Sequence, residues 1–429
     1  MKNILKNIIS NFHATDLKTS YRRKIELPIT TGIIVSVVGV RRSGKTYLLY
    51  ETIKKLIDEG ISKSNILYIN FEDERLNLQQ ADLDIILQAY MELYPQHQLE
   101  ACYFFFDEIQ NIKGWEKFVR RVFDTISTNV YVTGSNSKLL SSEIATELRG
   151  RTISYTVYPL CFLEFLDFNQ IVPNFYETKQ KIKLLNCYDN FLNYGGFPEI
   201  YNLDPELKVK KLQDYFNSII YKDLIERYDI SNPTILKFFI KKILEQITKP
   251  ISVNKIHNDI KSMGYKISNN VLYEYLDYIK ATFSAIIVNK FDFSEIKQAK
   301  SEKKAYAIDN GILTALDFSF SENKGKLLEN MIALELLKHD KELTYYKNIV
   351  ECDFIIKQKN NYLPIQCSFS LQNDATKKRE FKGLISACEF LKVKKGIIVT
   401  YDEESIEKIN EIEIKVIPAY KFMLEISSL

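Results

Sequence analysis

An eight-residue segment, GVRRSGKT at residues 39–46, constrains the fold of this chain more than any other feature. It fits the phosphate-binding pattern G-x-x-x-x-G-K-[ST], and it lies between a β-branched run, residues 33–38, and an amphipathic stretch, residues 47–58. Glycines let backbone N–H groups curve around an anion, and the positive end of the following helix points at the same place. The pattern predicts a phosphate-binding loop between a buried strand and a helix.

The positions of this segment have separate expected roles in holding a nucleotide. Lys45 is expected to reach the β- and γ-phosphates, and the Thr46 hydroxyl is expected to bind Mg²⁺. Arg41 and Arg42 occupy variable positions, so the pattern assigns them no catalytic role. The predicted nucleotide-binding residues are Gly39, Val40, Arg41, Arg42, Ser43, Gly44, Lys45, Thr46 and Tyr47.

A second motif, ACYFFFDEIQ at residues 101–110, predicts the same chemistry. An apolar run that ends in two carboxylates is typical of a buried parallel strand that delivers acids to the rim of a sheet. Asp107 is expected to hold Mg²⁺ through water, and Glu108 is expected to polarise the water that attacks the γ-phosphate. Together the two motifs predict a nucleotide hydrolase.

The composition is that of an ordinary globular protein that is too long for one domain. Of 429 residues, 46% are hydrophobic and 26% are charged, and the net charge of +3 is too small to indicate nucleic-acid binding by itself. No apolar run approaches the ~20 residues that span a bilayer, and the N-terminus lacks the apolar core of a signal peptide. Six cysteines without CxxC spacing predict reduced thiols and no zinc site, in a cytoplasmic protein.

Helix and strand patterns divide the chain into five predicted segments. Residues 1–20 predict a short amphipathic helix, and residues 21–160 alternate strands with helices, which indicates a parallel sheet covered on both faces. Residues 161–248 predict helices, interrupted by the turn YGGFPEI. Residues 249–310 predict a winged helix, and residues 311–429 a further α/β domain. The strands predicted in the first α/β segment are 33–38, 66–71, 103–106, 130–133 and 153–158.

Stretches spread over most of the chain carry a resemblance to a known family. They are GVRRSGKTYLL (39–49), INFEDERL (69–76), FFFDEIQNIKGWEKFVRRVFD (104–124), VTGSNSKLLSSEIATELRGRT (132–152), YPLCFLEFL (158–166), YGGFPEI (194–200), KDLIERYDI (222–230), KLLENMIALEL (326–336), ECDFII (351–356) and IQCSFSL (365–371). The sequence resembles bacterial and archaeal ATP-binding proteins in which an AAA-type ATPase module precedes a domain of uncharacterised function with a nuclease-like half. The resemblance implies an α/β fold: a P-loop core, a helical lid, the winged helix and a restriction-endonuclease-like domain.

The resemblance also implies two further catalytic roles. In AAA-type enzymes a polar residue after the strand that follows the acidic one senses the γ-phosphate, which implies Ser135 or Asn136. An arginine from a neighbouring subunit neutralises charge at the γ-phosphate, which implies Arg149 or Arg151. The alternatives are that the TGSNS segment is only a polar turn and that these arginines form structural salt bridges.

The nuclease-like region resembles restriction endonucleases except at the metal site. Such nucleases need an acid on a helix, an acid at a strand start and an E-x-K on the adjoining strand. Glu329 and Asp353 match the acids, but Gln366, Cys367 and Ser368 stand where the E-x-K is expected. Because an amide supplies no anionic ligand and serine no ammonium, we expect a module that binds or scaffolds and does not cut.

The predicted winged helix is a weak candidate for DNA binding. Residues 251–280 carry four lysines against three acids, and Glu274 and Asp277 on the second helix would repel phosphates. We expect the tyrosines of this helix to pack against neighbouring domains; they are Tyr273, Tyr275 and Tyr278.

The sequence therefore predicts a Mg²⁺-dependent ATPase of the AAA type that acts as a switch or a motor on a macromolecular partner. An arginine acting between subunits would imply a homo-oligomer, and the nuclease-like and winged-helix regions would contact a protein or DNA. Two alternatives stay open at this point. One is a nucleotide-dependent signalling or scaffold protein with low turnover, and the other is a DNA-processing ATPase or nuclease.

Overall fold

The computed structural model describes residues 1–17, 23–29, 32–136, 148, 150–316, 324–359 and 361–428. These residues form two compact units, Met1–Tyr158 and Pro159–Leu429, and the boundary lies close to the one predicted at residue 160. The finer division into five segments stays a prediction. Among the described residues, none of the helices combines the length and apolarity that a membrane span requires.

The first unit is a parallel sheet with helices packed around it. Its strands are β1 (Ile34–Val38), β2 (Ile66–Asn70), β3 (Tyr103–Asp107), β4 (Val130–Gly134) and β5 (Thr152–Thr156). Its helices are α1 (Lys2–Ala14), α2 (Lys45–Asp58), α3 (Asp84–Leu93) and α4 (Trp115–Thr125). The predicted strands and the predicted N-terminal helix are confirmed, although α1 ends at Ala14 and not near residue 20.

The strand order decides where a ligand can bind to this unit. All strands run parallel in the order β2–β3–β4–β1–β5. At the end of β1, Val38 pairs with Gly134 of β4 on one side and with Thr156 of β5 on the other. Ligands bind beyond the carboxyl ends of parallel strands. The loop after β1, the acids after β3 and the polar residues after β4 therefore meet at one edge of the sheet.

The second unit contains the remaining helices and strands. Its helices are α5 (Phe162–Phe168), α6 (Thr178–Tyr194), α7 (Pro205–Ser218), α8 (Pro233–Glu245), α9 (Val253–Ser262), α10 (Asn269–Ala281), α11 (Glu295–Lys300), α12 (Asn310–Ala315), α13 (Lys324–Lys338), α14 (Asp374–Leu391) and α15 (Ala419–Glu425). Its strands are β6 (Pro250–Ile251), β7 (Ala285–Lys290), β8 (Lys303–Ala307), β9 (Leu343–Lys347), β10 (Glu351–Gln358), β11 (Asn361–Cys367), β12 (Lys395–Thr400), β13 (Ser405–Ile409) and β14 (Ile412–Pro418). A π-helical segment, Ile219–Glu226, continues α7.

These strands form one mixed sheet that continues across the boundary predicted at residue 310. Its order is β13–β14–β12–β11–β10–β9–β7–β8–β6. The segment predicted as a winged helix supplies β6, β8 and β7, and β7 pairs in parallel with β9, where Asn289 lies opposite Thr344. Periodicity identifies single strands, but it does not identify the partner of an edge strand, so this continuity was not predicted.

Sequence patterns also gave no indication of strand β13. It is an edge strand that pairs antiparallel with β14, and the turn between them consists of Asn410 and Glu411, with φ of 49° and 62°. Positive φ at both positions is the geometry of a type I′ hairpin, for which Asn–Gly is the usual signal. Because Glu411 stands where glycine is usual, the sequence did not indicate the hairpin.

The turn YGGFPEI wraps around a buried carboxylate. Gly195 has φ 72° and ψ −161°, a region that is essentially restricted to glycine, and a Cβ there would lie 1.7 Å from an Asp309 oxygen. Asp309 accepts hydrogen bonds from the backbone N–H groups of Gly196 and Gly311, both at 2.8 Å. Burial raises the pKa of Asp309 to about 6. The adjacent glycines are therefore explained by the close approach of this side chain.

The tyrosines of α10 follow their prediction only in part. Tyr275 is buried, and Tyr278 stacks on Tyr228 of the same unit with ring centroids 3.9 Å apart. Tyr273 is 48% exposed, so the expectation that it packs was wrong. On a helix with 3.6 residues per turn, Tyr273 lies on the face opposite to Tyr275.

Candidate functional site

The loop between β1 and α2 has the backbone geometry that its glycines predicted. A Cβ on Gly39 would lie 2.0 Å from the carbonyl oxygen of Val157, so only glycine fits beside the end of β5. Gly44 has φ 97° and immediately precedes the first residue of α2, Lys45. Arg42 also has a positive φ, 66°, and its side chain is exposed. The chain therefore curves back on itself before the helix begins.

The Lys45 side chain is folded inside this curve and is 4% exposed. Its Nζ donates to the carbonyl oxygens of Gly39 at 3.1 Å and Val40 at 3.3 Å. It also forms an ion pair with Glu108 Oε1 at 3.1 Å. The loop and the acidic strand, predicted separately from the sequence, are thus joined by one ammonium group.

Asp107 is completely buried and accepts hydrogen bonds from three hydroxyl groups. Thr46 Oγ1 lies 2.7 Å and the Tyr68 hydroxyl 2.8 Å from Oδ2, and Thr133 Oγ1 donates to Oδ1. Burial, followed by the charge of Glu108, raises the pKa of Asp107. An oxygen-rich site with two adjacent buried carboxylates suits a hard cation such as Mg²⁺, so the residues present fit that ion.

Glu108 is held in one position by groups on both sides of it. It has φ 53°, its backbone N–H donates to Thr133 Oγ1 at 2.9 Å, and Gln110 Nε2 donates to its Oε2 at 2.5 Å. Burial acts to raise the pKa of Glu108, but the Lys45 ammonium, the hydrogen bond from Gln110 and the charge of Arg41 together bring this pKa below its usual value, so the carboxylate stays ionised. Glu108 is therefore a fixed, charged proton acceptor at the edge of the sheet.

The two candidates for sensing the γ-phosphate lie at the same edge. Ser135 and Asn136 follow β4 and are 1% and 5% exposed. Gln110 Nε2, which donates to Glu108, also lies 3.5 Å from Ser135 Oγ. Gln110 thereby connects Ser135 to Glu108.

Of the two arginine candidates, the structure describes only Arg151, and Arg151 does not lie at this edge. Arg149 is outside the described residues. Arg151 precedes β5, and its carbonyl oxygen accepts from the N–H of Ile34, the first residue of β1, at 2.7 Å. Its guanidinium forms an ion pair with Asp124 at the end of α4. Because β1 and β5 are parallel, Arg151 lies at the edge of the sheet opposite to the loop of its own chain.

The remaining predicted loop residues differ in their surroundings. Val40 and Ser43 are buried, whereas Tyr47 on α2 is 42% exposed. Arg41 forms an ion pair with Glu72, which follows β2.

Several residues at this site were not predicted from the sequence. Arg23 is 7% exposed and joins the loop to the end of β5, since Nη1 donates to the Ser43 carbonyl at 2.7 Å and Nη2 to the Tyr158 carbonyl at 2.8 Å. No pattern marks an arginine so far from the loop. The other unpredicted residues are Tyr68, Gln110 and Thr133. Thr133 alone carried a signal, as a polar residue at the end of a buried strand.

The described residues of the second unit do not form the metal site that the resemblance to nucleases would imply. The Gln366 amide is already engaged, because Oε1 accepts from the Asp353 N–H at 3.1 Å and Nε2 donates to Glu380 Oε2 at 2.6 Å. Ser368 Oγ donates to the Ser370 carbonyl at 3.0 Å. Within the described ranges, no group of three or more His, Cys, Asp and Glu side chains is arranged to hold a metal ion. A divalent metal therefore does not fit the residues as they stand.

A lysine occupies the place between the acids of this region. The Lys304 side chain, from β8, is 0% exposed, and its Nζ lies 3.3 Å from Glu329, 2.6 Å from Glu351 and 3.4 Å from Asp353. Tyr306 donates to Glu329 Oε1 at 2.9 Å. Burial, followed by the charge of Asp353, raises the pKa of Glu329 to about 8, as expected where acids outnumber the cations beside them. Lys304 was not singled out in the sequence.

Comparison with known proteins gives three family matches along the chain. Residues 32–166 match the AAA domain family, residues 186–324 a domain of unknown function (DUF8612) and residues 324–422 another (DUF4143). An uncharacterised protein of Methanocaldococcus jannaschii is 37% identical over 431 residues, which cover 97% of this chain and 94% of the relative. The chain belongs to the AAA-domain protein family.

A second sequence relative and two solved structures are less similar to this AAA-domain protein. An uncharacterised protein of Haemophilus influenzae is 32% identical and covers 80% of this chain and 84% of its own length. The Aeropyrum pernix Orc1 protein in complex with DNA is 9% identical with a TM-score of 0.33, over 75% of this chain and 92% of that one. Cdc6p from Pyrobaculum aerophilum is 12% identical with a TM-score of 0.27, over 77% and 93%. Structural similarity this low is no evidence for what this chain binds.

Proposed function

We propose that this AAA-domain protein binds ATP at residues 39–46 and hydrolyses it. The observation that carries the proposal is the convergence of two pairs of side chains. The Lys45 ammonium lies 3.1 Å from Glu108, and the Thr46 hydroxyl lies 2.7 Å from Asp107. A phosphate-binding lysine, two oxygen ligands for a cation and a fixed carboxylate base are the parts that phosphoryl transfer to water requires.

Each of these residues has a separate role in the proposed reaction. Lys45 exchanges the carbonyl oxygens of its own loop for phosphate oxygens, which are stronger hydrogen-bond acceptors because they are charged. Thr46 and Asp107 would hold Mg²⁺, which neutralises phosphate charge when it is bound. Glu108 accepts the proton of the attacking water, and the hydrogen bond from Gln110 keeps the Glu108 carboxylate oriented.

For the γ-phosphate sensor we favour Ser135 over Asn136. The contact from Gln110 links Ser135 to the proposed base, so a change at the γ-phosphate would reach Glu108 through one side chain.

We further propose that Arg151 serves a second copy of the chain. Its place at the opposite edge of the sheet keeps it from the nucleotide of its own chain, and its pairing with Asp124 holds the guanidinium at the surface, where it is 39% exposed. Light scattering with a non-hydrolysable ATP analogue should then show assembly in the wild type, and Arg151→Ala should lower turnover without preventing nucleotide binding. A monomer under all conditions, with turnover unchanged by Arg151→Ala, would contradict this role.

Phosphate release by the full chain tests the proposed activity. We expect steady-state release of inorganic phosphate from ATP that disappears when EDTA removes Mg²⁺. If ATP binds but release stays at the level of buffer alone, the alternative of a nucleotide-dependent signalling or scaffold protein is favoured.

For the second unit we propose a winged helix joined to a nuclease-like domain that binds a protein partner. The order β7–β8–β6 beside α8, α9 and α10 supports the first assignment. The exposed residues of α10 include Tyr273, Glu274, Asp277 and Lys280, so its surface is aromatic and carries two acids against one lysine. Such a face repels phosphates and suits a protein partner better than DNA. A DNA-processing ATPase would instead show duplex-stimulated turnover that falls steeply with salt.

A further inference from the structure

The Lys304 cluster lies in the second unit and is independent of the ATP site. Its acids come from two elements, Glu329 from α13 and Glu351 and Asp353 from β10, while the lysine comes from β8. These contacts join Lys304 to residues that lie 25 to 49 positions further along the chain. A fully buried ammonium that contacts three acidic side chains differs from a solvated surface pair, although the acids outnumber the cation.

Other groups also hold two of the three acids in place. Asp353 Oδ2 accepts from the Cys367 N–H at 2.9 Å, which leaves Oδ1 for Lys304. Glu329 Oε1 accepts from Tyr306 as well as from Lys304. The carboxylates are therefore directed at one point, and the ammonium occupies that point.

A catalytic role for this lysine would need access for water and substrate. Its side chain is 0% exposed, whereas those of Glu329, Glu351 and Asp353 are 13%, 32% and 8% exposed. A lysine that activates water must be able to contact it. The burial of Lys304 thus favours a structural charge over a catalytic one.

We propose that Lys304 is a built-in cation that takes the place of a divalent metal among Glu329, Glu351 and Asp353. Its single charge holds the wing strand β8 against α13 and β10, and the unit keeps this arrangement without metal. Glu329 and Asp353 lie 3.3 and 3.4 Å from the ammonium nitrogen, which is longer than the roughly 2.0–2.6 Å of Mg²⁺ and Ca²⁺ ligands. This spacing explains why the acids are not arranged as a metal site while the lysine is present.

Removal of the ammonium should turn the cluster into a cation site. Calorimetric titration of the nucleotide-free full chain with Mn²⁺ is expected to show one more equivalent bound by Lys304→Ala than by the wild type. The additional uptake should disappear in Lys304→Ala/Asp353→Asn. Mn²⁺ should also raise the melting temperature of Lys304→Ala more than that of the wild type, because the three acids, of which Glu351 is 32% exposed, then lack the ammonium that they contact.

Lys338→Ala is the matched control. Lys338 is also buried, but its Nζ contacts one carboxylate, Glu335, at 3.2 Å and the Leu160 carbonyl at 2.9 Å. Its removal should destabilise the unit without creating Mn²⁺ uptake. The proposal is overturned if wild-type Mn²⁺ uptake is lost in Asp353→Asn, or if Lys304→Ala binds no additional Mn²⁺. It is equally overturned if that variant stays unfolded with Mn²⁺ present, or if the wild type nicks plasmid DNA in a metal-dependent way that Asp353→Asn abolishes.

Discussion

Lys45→Ala is expected to reduce steady-state ATP turnover by on the order of 100-fold or more, because one preorganised charged donor at a developing phosphate charge contributes about that much. The variant should also lose stability. Glu108, which is 6% exposed, would lose the ammonium that offsets its burial beside the fully buried Asp107. Breaking a buried ion pair from one side costs about 3–5 kcal/mol. Phosphate release and thermal unfolding of the same preparations measure both effects.

A double variant and a surface control separate folding from chemistry. Lys45→Ala/Glu108→Gln removes the unpaired charge, so it should recover most of the lost stability and none of the turnover. Lys55 lies on the same helix, α2, and forms an exposed pair with Glu26. Lys55→Ala should cost no more than about 1 kcal/mol and leave turnover unchanged. Comparable losses in Lys55→Ala and Lys45→Ala would refute a specific role for Lys45.

Glu108→Gln is expected to lower turnover by about 10²–10⁴-fold while ATP still binds. Glutamine keeps the shape of the side chain and can still accept the hydrogen bond from Gln110, but its amide cannot take a proton from water. The substitution also removes one of two adjacent buried carboxylates, so we expect affinity that is unchanged or tighter. In this variant, phosphate release should therefore fall while equilibrium binding of ATP is retained.

The control for this experiment is Glu72→Gln. Glu72 pairs with Arg41 near the same loop, but its side chain is 38% exposed. Turnover should stay within about twofold of the wild type, as expected for an exposed ion pair. Equal turnover in Glu108→Gln and the wild type would exclude Glu108 as the base. Negligible turnover in both, with tight binding, would instead favour a switch.

The sequence predicted the strands and the chemical parts of this site, but not how those parts are connected. Lys45, Thr46, Asp107 and Glu108 are recognisable because backbone geometry forces a fixed spacing on the loop and because acids end a buried strand. Tyr68 and Gln110 complete the network, yet a tyrosine in an apolar strand is indistinguishable from a core residue. Their roles depend on which strands are neighbours, and periodicity carries no information about that.

The region predicted to be nuclease-like shows the same limit of sequence patterns. Gln366 and Ser368 led to the expectation of a module that does not cut, because an amide and a hydroxyl lack the charges of the glutamate and lysine that they replace, and this expectation stays a prediction. The sequence could not reveal what replaces the metal, since Lys304 belongs to a different predicted domain. Only the continuity of the sheet through β7 and β9 brings that strand beside the acids.

Calorimetric titration of the full chain with Mg²⁺ and a non-hydrolysable ATP analogue tests the central claim most directly. Binding of one nucleotide per chain by the wild type, and none by Lys45→Ala in a sample that is folded by circular dichroism, is the predicted result. No uptake by the wild type, or the same uptake by Lys45→Ala, would contradict the assignment of this loop as the triphosphate site.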